Sequence, residues 1–509
     1  MILCLSFICT VETRADDKRP NIIFLLSDDQ RDNTFAAMGH PFVQTPNVDR
    51  LLAQSVRFQN TYIAEPVCAS SRASLLTGMY ERVHGIGFTS SWQLTEDQWD
   101  RTYPALLQEA GYHTGFVGKF GLEYYTFRGK AQDKFDYWWG HDGWTLFHPK
   151  TRKTFSTNTY HRAKANLITP IMGEAMLEFL GQVPDDRPFC LSVSFNVPHG
   201  SQTTSMLTDY PQWQRMAKPA NEHPQLKDHP HYGDLYRDID LSIPEETATD
   251  PYRFIPRSMM NQDAGRRRTY PYNYTAATCR EHHVRYYQQI TGLDHEIGRL
   301  VAELKRLDLS DNTVIIFGSD HGLLMGEYGM GGKALLYDLA SKIPCFVFDP
   351  RATTTRGQQA DQLVSSLDIT ATILDYAGVT PPPFIQGKSL RPLVRGETVP
   401  WRDELFLESL YTGRDTPFQE GIRDGKWKYI RMFDGVGRYN EQHVDFTNRR
   451  PDFELLFDLD ADPMERTNLV QVDAHSEVLA RLRKKCTTQS QQLNQKREEF
   501  KKAVTTKAR

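Results

Sequence analysis

Cysteine is scarce in this chain of 509 residues: there are seven, and two of them, Cys4 and Cys9, fall within the first nine positions. The other five, Cys68, Cys190, Cys279, Cys345 and Cys486, have spacings that match neither a disulfide framework nor a zinc site. Long apolar runs are missing as well. No stretch approaches the roughly 18 residues that a membrane span requires, so no transmembrane helix is predicted. Neither sign of charge is in excess, since 60 Lys and Arg against 64 Asp and Glu leave a net −4. That balance gives no electrostatic footprint for nucleic acid or an anionic membrane surface, and an anionic substrate would have to be held by a few local Lys, Arg and His. With 39% hydrophobic and 24% charged residues, composition sits near the soluble globular norm, and disordered and collagen-like classes are excluded. The length allows two to four domains.

At the N-terminus a short apolar run from Ile2 to Cys9 precedes Thr13-x-Ala15, small residues at the spacing of a signal-peptidase site. Residues 1–17 are therefore expected to be a signal peptide and the protein to be exported, periplasmic or extracellular, although no basic residue precedes the run. Farther on, Asn21-Ile-Ile-Phe-Leu-Leu26, Phe189-Cys-Leu-Ser-Val-Ser-Phe195 and Thr313-Val-Ile-Ile-Phe317 read as buried strands, and Cys190 and Cys345 as inert core thiols. A helix is predicted from about Val284 to Leu307, with Ile290, Leu293, Ile297, Leu300 and Leu304 at helical spacing. Continuous apolar strands alternating with helices imply an α/β fold, a large mostly parallel sheet flanked by helices. Residues from about 200 to 280, rich in Pro, His, Tyr and Arg, read as an insertion of loops and short helices that could shape a pocket. Beyond about 400 the pattern turns to short strands and a polar helix from about Ser476 to Ala503. The expected division is a catalytic domain over 18–398 and a smaller C-terminal α+β domain over 399–509.

In such sheets ligands bind beyond the carboxyl ends of the strands. Asp28-Asp29, Asn196-Val-Pro-His199 and Asp320-His321 all fall at those ends. Three carboxylates and an imidazole converging there would suit a hard divalent cation, Ca²⁺ or Mg²⁺, better than a structural zinc. In Cys68-Ala-Ser-Ser-Arg72-Ala-Ser-Leu-Leu-Thr-Gly78, Ser70 and Ser71 are candidate caps of a helix that Gly78 ends. Cys68 would then stand at a helix N-terminus with Arg72 one turn on, a setting that favours an anion. Trp138, Trp139 and Trp144 near His141 and Asp142 could be core or a sugar-stacking wall.

Cys68-x-Ser70-Ser71-Arg72, Leu75-Leu76-Thr77-Gly78 and Gly85 resemble the signature of type I, formylglycine-dependent sulfatases of the alkaline phosphatase superfamily. Asp28-Asp29, Gly118-Lys119, Pro198-His199, Ser319-Asp320-His321-Gly322 and Gly332-Lys333 resemble its further active-site blocks in order, and Asp458 to Leu469 is similar to its C-terminal signature. The resemblance implies an alkaline phosphatase-like fold and a sulfatase whose Cys68 is oxidised by a maturation enzyme to formylglycine, the nucleophile. It implies a cation, Ca²⁺ in this family, on Asp28, Asp29, Asp320 and His321. It further implies sulfate binding by Lys119 and Lys333, Arg72 beside the nucleophile, and His199 at the departing oxygen. Sulfate would then leave the enzyme by elimination. The implied substrate is a sulfated saccharide, as an O- or N-sulfate. A phosphomonoester or phosphonate hydrolase and a catalytically silent glycan-binding relative are the competing readings.

The chain departs from the family pattern at two positions. Ser70 stands where Pro or Ala is usual, and Gly121 where a histidine that acts on the formylglycine hydroxyl is common. His113 and His141 are the candidate substitutes. His321, where Asn is frequent, is a milder variation.

Overall fold

A computed structural model describes residues 19–88, 93–122, 127, 130–141, 167–199, 234–245, 251–259, 276–412, 416–434 and 446–507. Residues 1–17, Asp142, Trp144 and most of the 200–280 segment, on which several of the expectations fall, lie outside them.

The strand β1 (Asn21–Ser27) is central to an eight-stranded sheet with β2 (Val56–Tyr62), β3 (His113–Lys119), β4 (Tyr137–His141), β5 (Phe189–Ser194) and β6 (Thr313–Ser319). A two-residue ribbon, β7 (Leu324–Met325) and β8 (Gly331–Gly332), follows, and β9 (Phe346–Phe348) and β10 (Gln359–Ser365) complete the large sheet in the order β10-β2-β9-β6-β1-β5-β3-β4. The predicted strands in β1, β5 and β6 are present and pair in parallel. The sheet is mixed rather than wholly parallel, because β9 runs antiparallel to both β2 and β6.

Alternation along β1 shows why its sequence is apolar throughout. Ile23 and Leu25 pack on one face with the helices Ile168–Leu180 and Ala276–Arg306; Ile22, Phe24 and Leu26 pack on the other with Cys68–Thr77 and Leu367–Tyr376. The predicted 284–307 helix is longer, starting at Ala276, and all five of its periodic apolar residues are buried. Cys190 and Cys345 are buried among these side chains, and burial pushes both thiols up to about 12. Trp138 stacks on Phe116 with ring centroids 5.1 Å apart, and Trp139 is buried in the opposite core layer, so both belong to the core and not to a sugar-stacking wall.

Beyond residue 400 the chain forms a second, antiparallel sheet of β11 (Glu404–Ser409), β12 (Phe418–Asp424), β13 (Trp427–Phe433) and β14 (Phe453–Asp458), with the helix Ser476–Lys507 against it. One face of this sheet, through Leu405, Leu407, Ile430 and Met432, packs on Tyr328, Met330, Leu335 and Leu336 of the large domain. The other face, through Phe406 and Ile422, receives Leu479, Leu482 and Leu493 of the helix. A buried ionic seam runs between the helix-covered face of this sheet, the helical turn Glu81–His84 and the helix Ser476–Lys507. Arg82 donates from Nε to Glu408 (2.8 Å), from Nη1 to Ser490 (2.8 Å) and from Nη2 to Glu420, while Arg431 Nε donates to Glu420 (2.7 Å).

Candidate active site

The carboxyl ends of β1 and β6 bring the acidic residues together. Ser27 and Ser319 are paired in register, and the Asp320 N–H donates to the Ser27 carbonyl at 3.0 Å. Asp29 takes a left-handed φ of 65°, which costs a residue with a Cβ roughly 1–2 kcal/mol. Two bonds hold it there: Asp320 Oδ1 accepts from its N–H (3.1 Å), and the Tyr286 hydroxyl donates to its carbonyl (2.8 Å). Asp28, Asp29, Asp320 and His321 are all completely buried.

Cys68 is the first residue of the helix Cys68–Thr77, whose N-cap is Val67. The expected serine caps are absent. Ser70 donates instead to the Val67 carbonyl (3.2 Å), and Ser71 to the carbonyl of Asp320 (2.6 Å), tying the helix to the acidic corner. Gly78, with φ 68°, ends the helix as expected. The Cys68 sulfur accepts from Lys333 Nζ at 2.6 Å and lies 3.2 Å from His321 Nε2 and 3.8 Å from Asp28 Oδ1. Burial works to raise its pKa, but Lys119 and Lys333 outweigh it and hold the thiol well below its ordinary value.

Cations interleave with these groups. Lys119 Nζ donates to Asp28 at 2.6 Å, and Lys333 Nζ to Asp29 at 2.7 Å. Arg72 donates to Asp320 (2.8 Å), to the Lys119 carbonyl (2.9 Å) and to the Ser194 hydroxyl. His199 Nε2 is 3.9 Å from Asp29 Oδ2. Burial opposes ionisation of Asp28, yet Lys119, His199, Arg72 and Lys333 keep its carboxyl well below the usual range, and Asp29 is lowered in the same way. Asp320 is pushed up to about 6 by burial and by the charge of Asp28. All nine residues singled out in the sequence are thus brought to one corner of the sheet.

The donor set suits a hard divalent cation. One ligand atom from each of Asp28, Cys68, Asp320 and His321 lies within 4.8 Å of the others, and the same holds for Asp28, Asp29, Cys68 and His199. Carboxylates make up half of each group, and their oxygens are the ligands that Ca²⁺ and Mg²⁺ sites use. His321 Nδ1 donates to the Gly322 carbonyl (2.9 Å), which leaves Nε2 as the nitrogen facing Cys68 and Asp320.

The glycine at 121 has a steric explanation. Its φ is 81°, and a Cβ there would stand 2.7 Å from Cδ of Arg72. The arginine occupies the room a side chain would need. Of the two candidate substitutes, His113 is excluded because it begins β3, six residues and about 20 Å of strand from Lys119 at the other end. His141 ends β4 directly beside Lys119 and lies 3.0 Å from Asn196 Oδ1. Sequence reasoning had no role for Asn196, Ser194 or Tyr286. Their place on or just beyond the strand between β1 and β3, or on a helix packed against the sheet, is visible only once strand order is known.

The chain belongs to the sulfatase family, whose profile, described as "Sulfatase", matches residues 20–379. It is accordingly an enzyme of the sulfuric ester hydrolase class. A second profile, "N-sulphoglucosamine sulphohydrolase, C-terminal", matches residues 326–492. The sequence is 26% identical over 510 residues to an N-acetylglucosamine-6-O-sulfatase of Bacteroides thetaiotaomicron, covering 91% of this chain and 84% of that one. Among solved structures, one in complex with its substrate D-glucosamine-2-N,6-O-disulfate superposes with a TM-score of 0.66 at 22% identity, over 95% of this chain and 99% of the other. The phosphonate monoester hydrolase of Agrobacterium radiobacter superposes with the same TM-score at 20% identity, over 95% and 96%.

Proposed function

We propose that this protein hydrolyses a sulfate ester or N-sulfate of a carbohydrate, with position 68 as nucleophile. The observation that carries the reading is the placing of Cys68 at a helix N-terminus, within 3.8 Å of Asp28, His321 and Lys333. The N-acetylglucosamine-6-O-sulfatase relative and the match to an N-sulphoglucosamine sulphohydrolase C-terminal profile support a sulfated amino sugar as substrate class. Conversion of Cys68 to formylglycine by a maturation enzyme would supply a hydrated aldehyde oxygen as nucleophile. A Ca²⁺ or Mg²⁺ ion held by Asp28, Asp29, Asp320 and His321 would supply Lewis-acid polarisation of a sulfate oxygen.

The chain's own residues divide the remaining work. Lys119 and Lys333 are ammonium groups on flexible stems that can bind sulfate oxygens, supplying local positive charge that a net −4 does not. Arg72 is held by three acceptors and stabilises negative charge beside position 68. His199, whose side chain is 12% exposed, stands at the open side of the corner and binds or protonates the departing oxygen. Export ahead of residue 18 would bring such an enzyme to extracellular or periplasmic glycans.

Mass analysis of the tryptic peptide 58–72 from a host that matures a control sulfatase, combined with turnover of N- and 6-O-sulfated glucosamines, tests the proposal. An aldehyde mass at position 68 with release of sulfate is the expected result. An unmodified thiol with sugar binding but no release would replace the enzyme by a glycan-binding relative. Release of the alcohol from phosphonate or phosphate monoesters in preference to sulfate esters would move it to phosphohydrolysis.

A further inference from the structure

The carboxyl edge of the sheet carries a polar pair that the roles assigned above do not use. His141 is the last residue of β4 and pairs in parallel register with Lys119, so the two side chains leave the sheet on the same face. Asn196 lies two residues beyond β5, and its neighbour Val197 accepts the Asp28 N–H at 3.1 Å. Asn196 is thereby set between the Asp28 turn on one side and the Lys119–His141 pair on the other. Both residues are buried, Asn196 completely.

His141 Nε2 and Asn196 Oδ1 are 3.0 Å apart. The amide oxygen can only accept, so the imidazole is the donor and Nε2 carries the proton. That bond fixes which way the amide faces and turns its NH₂ group away from the histidine. Among the described residues Asn196 Nδ2 has no hydrogen-bond partner. A buried amide donor is rarely left unpaired, because it has given up its water without replacement. An acceptor brought by a ligand would satisfy it, and the neighbouring Lys119 and Asp28 belong to the oxyanion and cation corner.

We propose that Asn196 is a substrate-binding residue whose Nδ2 donates to an oxygen of the tetrahedral oxyanion beside Lys119, with His141 as the positioning residue that orients the amide. This rests on the sulfatase reading and deepens it. It supplies a neutral donor at a corner where Arg72 leaves no space for a side chain at position 121. Because His141 acts by orienting and not by proton transfer, a glutamine that can still donate to Oδ1 should replace it.

The test is calorimetric binding of inorganic sulfate to the Ca²⁺-loaded full chain, run beside steady-state sulfate release. Asn196→Ala should weaken sulfate binding by about ten- to a hundredfold, the effect of losing a hydrogen bond to a charged acceptor. His141→Leu should weaken it in the same direction, and His141→Gln should stay within about threefold of the wild type. If the asparagine variant does not fold, the two histidine variants still decide between the outcomes. Equal sulfate affinity in Asn196→Ala and wild type, with release of sulfate intact in the wild type, overturns this inference alone. Equal losses in His141→Gln and His141→Leu overturn the orienting role. A wild-type protein that neither binds sulfate nor releases it overturns the functional reading, and this inference with it.

Discussion

Two of the buried groups of charges in this protein, one at the carboxyl edge of the large sheet and one at the seam with the four-stranded sheet, are built from different cations. At the seam, Arg82 and Arg431 meet Glu408 and Glu420, and the planar guanidinium forks match the carboxylates with several directed bonds. That network closes on itself. At the edge, Asp28 and Asp29 are met by Lys119 and Lys333, point charges on flexible stems, and a single guanidinium, Arg72, is locked to Asp320. Three carboxylates there converge on one small volume instead of each facing its own arginine. In these two groups the arginines hold charge that stays paired, and the lysines hold charge that can be handed to an incoming anion or cation.

The sharpest way to break the contrast is to remove one carboxylate from the edge. Asp320→Ala should lower bound divalent cation to background and turnover by more than about a hundredfold, while the fold persists. Metal content per mole and sulfate release measure this, and a variant with full metal content and full turnover would sink the site assignment. At the seam the loss should appear in stability. Arg82→Ala leaves Glu408 buried without its cation and takes from Glu420 one of its two arginines, which costs about 3–5 kcal/mol. Urea unfolding would read it, and a change below about 1 kcal/mol would mean that the seam is not a closed network.

A finer test uses the residues between the two regions. Glu81 is fully buried, and burial with the charge of Glu408 raises its pKa to about 8; Glu65, three residues before Cys68, is raised as well by burial and by Glu81. A carboxyl raised in the folded state contributes stability that is complete below its ordinary value of 4.5 and is lost as pH rises through about 8. Wild-type stability should therefore decline across that window. Glu81→Gln, which resembles the protonated acid, should be close to wild type near pH 4.5 and show a shallower decline above it. Parallel slopes in the two proteins would show that Glu81 does not carry the proton.

Much of this arrangement is legible in the chain itself, for a physical reason. A strand buried on both faces is apolar at every position, so β1, β5 and β6 stand out as continuous runs, and the polar residues that end them mark the functional edge. The nine candidate residues are recognisable because the chemistry needs those types in that order. What depends on pairing is not legible. β9 is three residues long and gives no hint of its reversed direction. The serines at 70 and 71 have the right spacing to cap a helix, but the cap depends on where Val67 enters, and Ser71 is drawn to Asp320, 249 residues away. His141 can be preferred to His113 only when β3 and β4 are known to lie parallel with Lys119 beside His141. Trp138 and Trp139 read equally as core or as a sugar-stacking wall until their strand gives each a face in a different core layer.

The contact between Cys68 and Lys333 spans 265 residues, and in the finished fold the thiol is 4% exposed. If Cys68 is converted to formylglycine as proposed, the enzyme that alters the thiol would have to reach it while the later segments are not yet in place. At roughly 5–20 residues per second, the ribosome takes on the order of ten to fifty seconds to make the intervening chain. On that proposal the position of one lysine in the sequence sets a clock: modification would compete with translation and folding, and a chain that closed first would keep its cysteine for life.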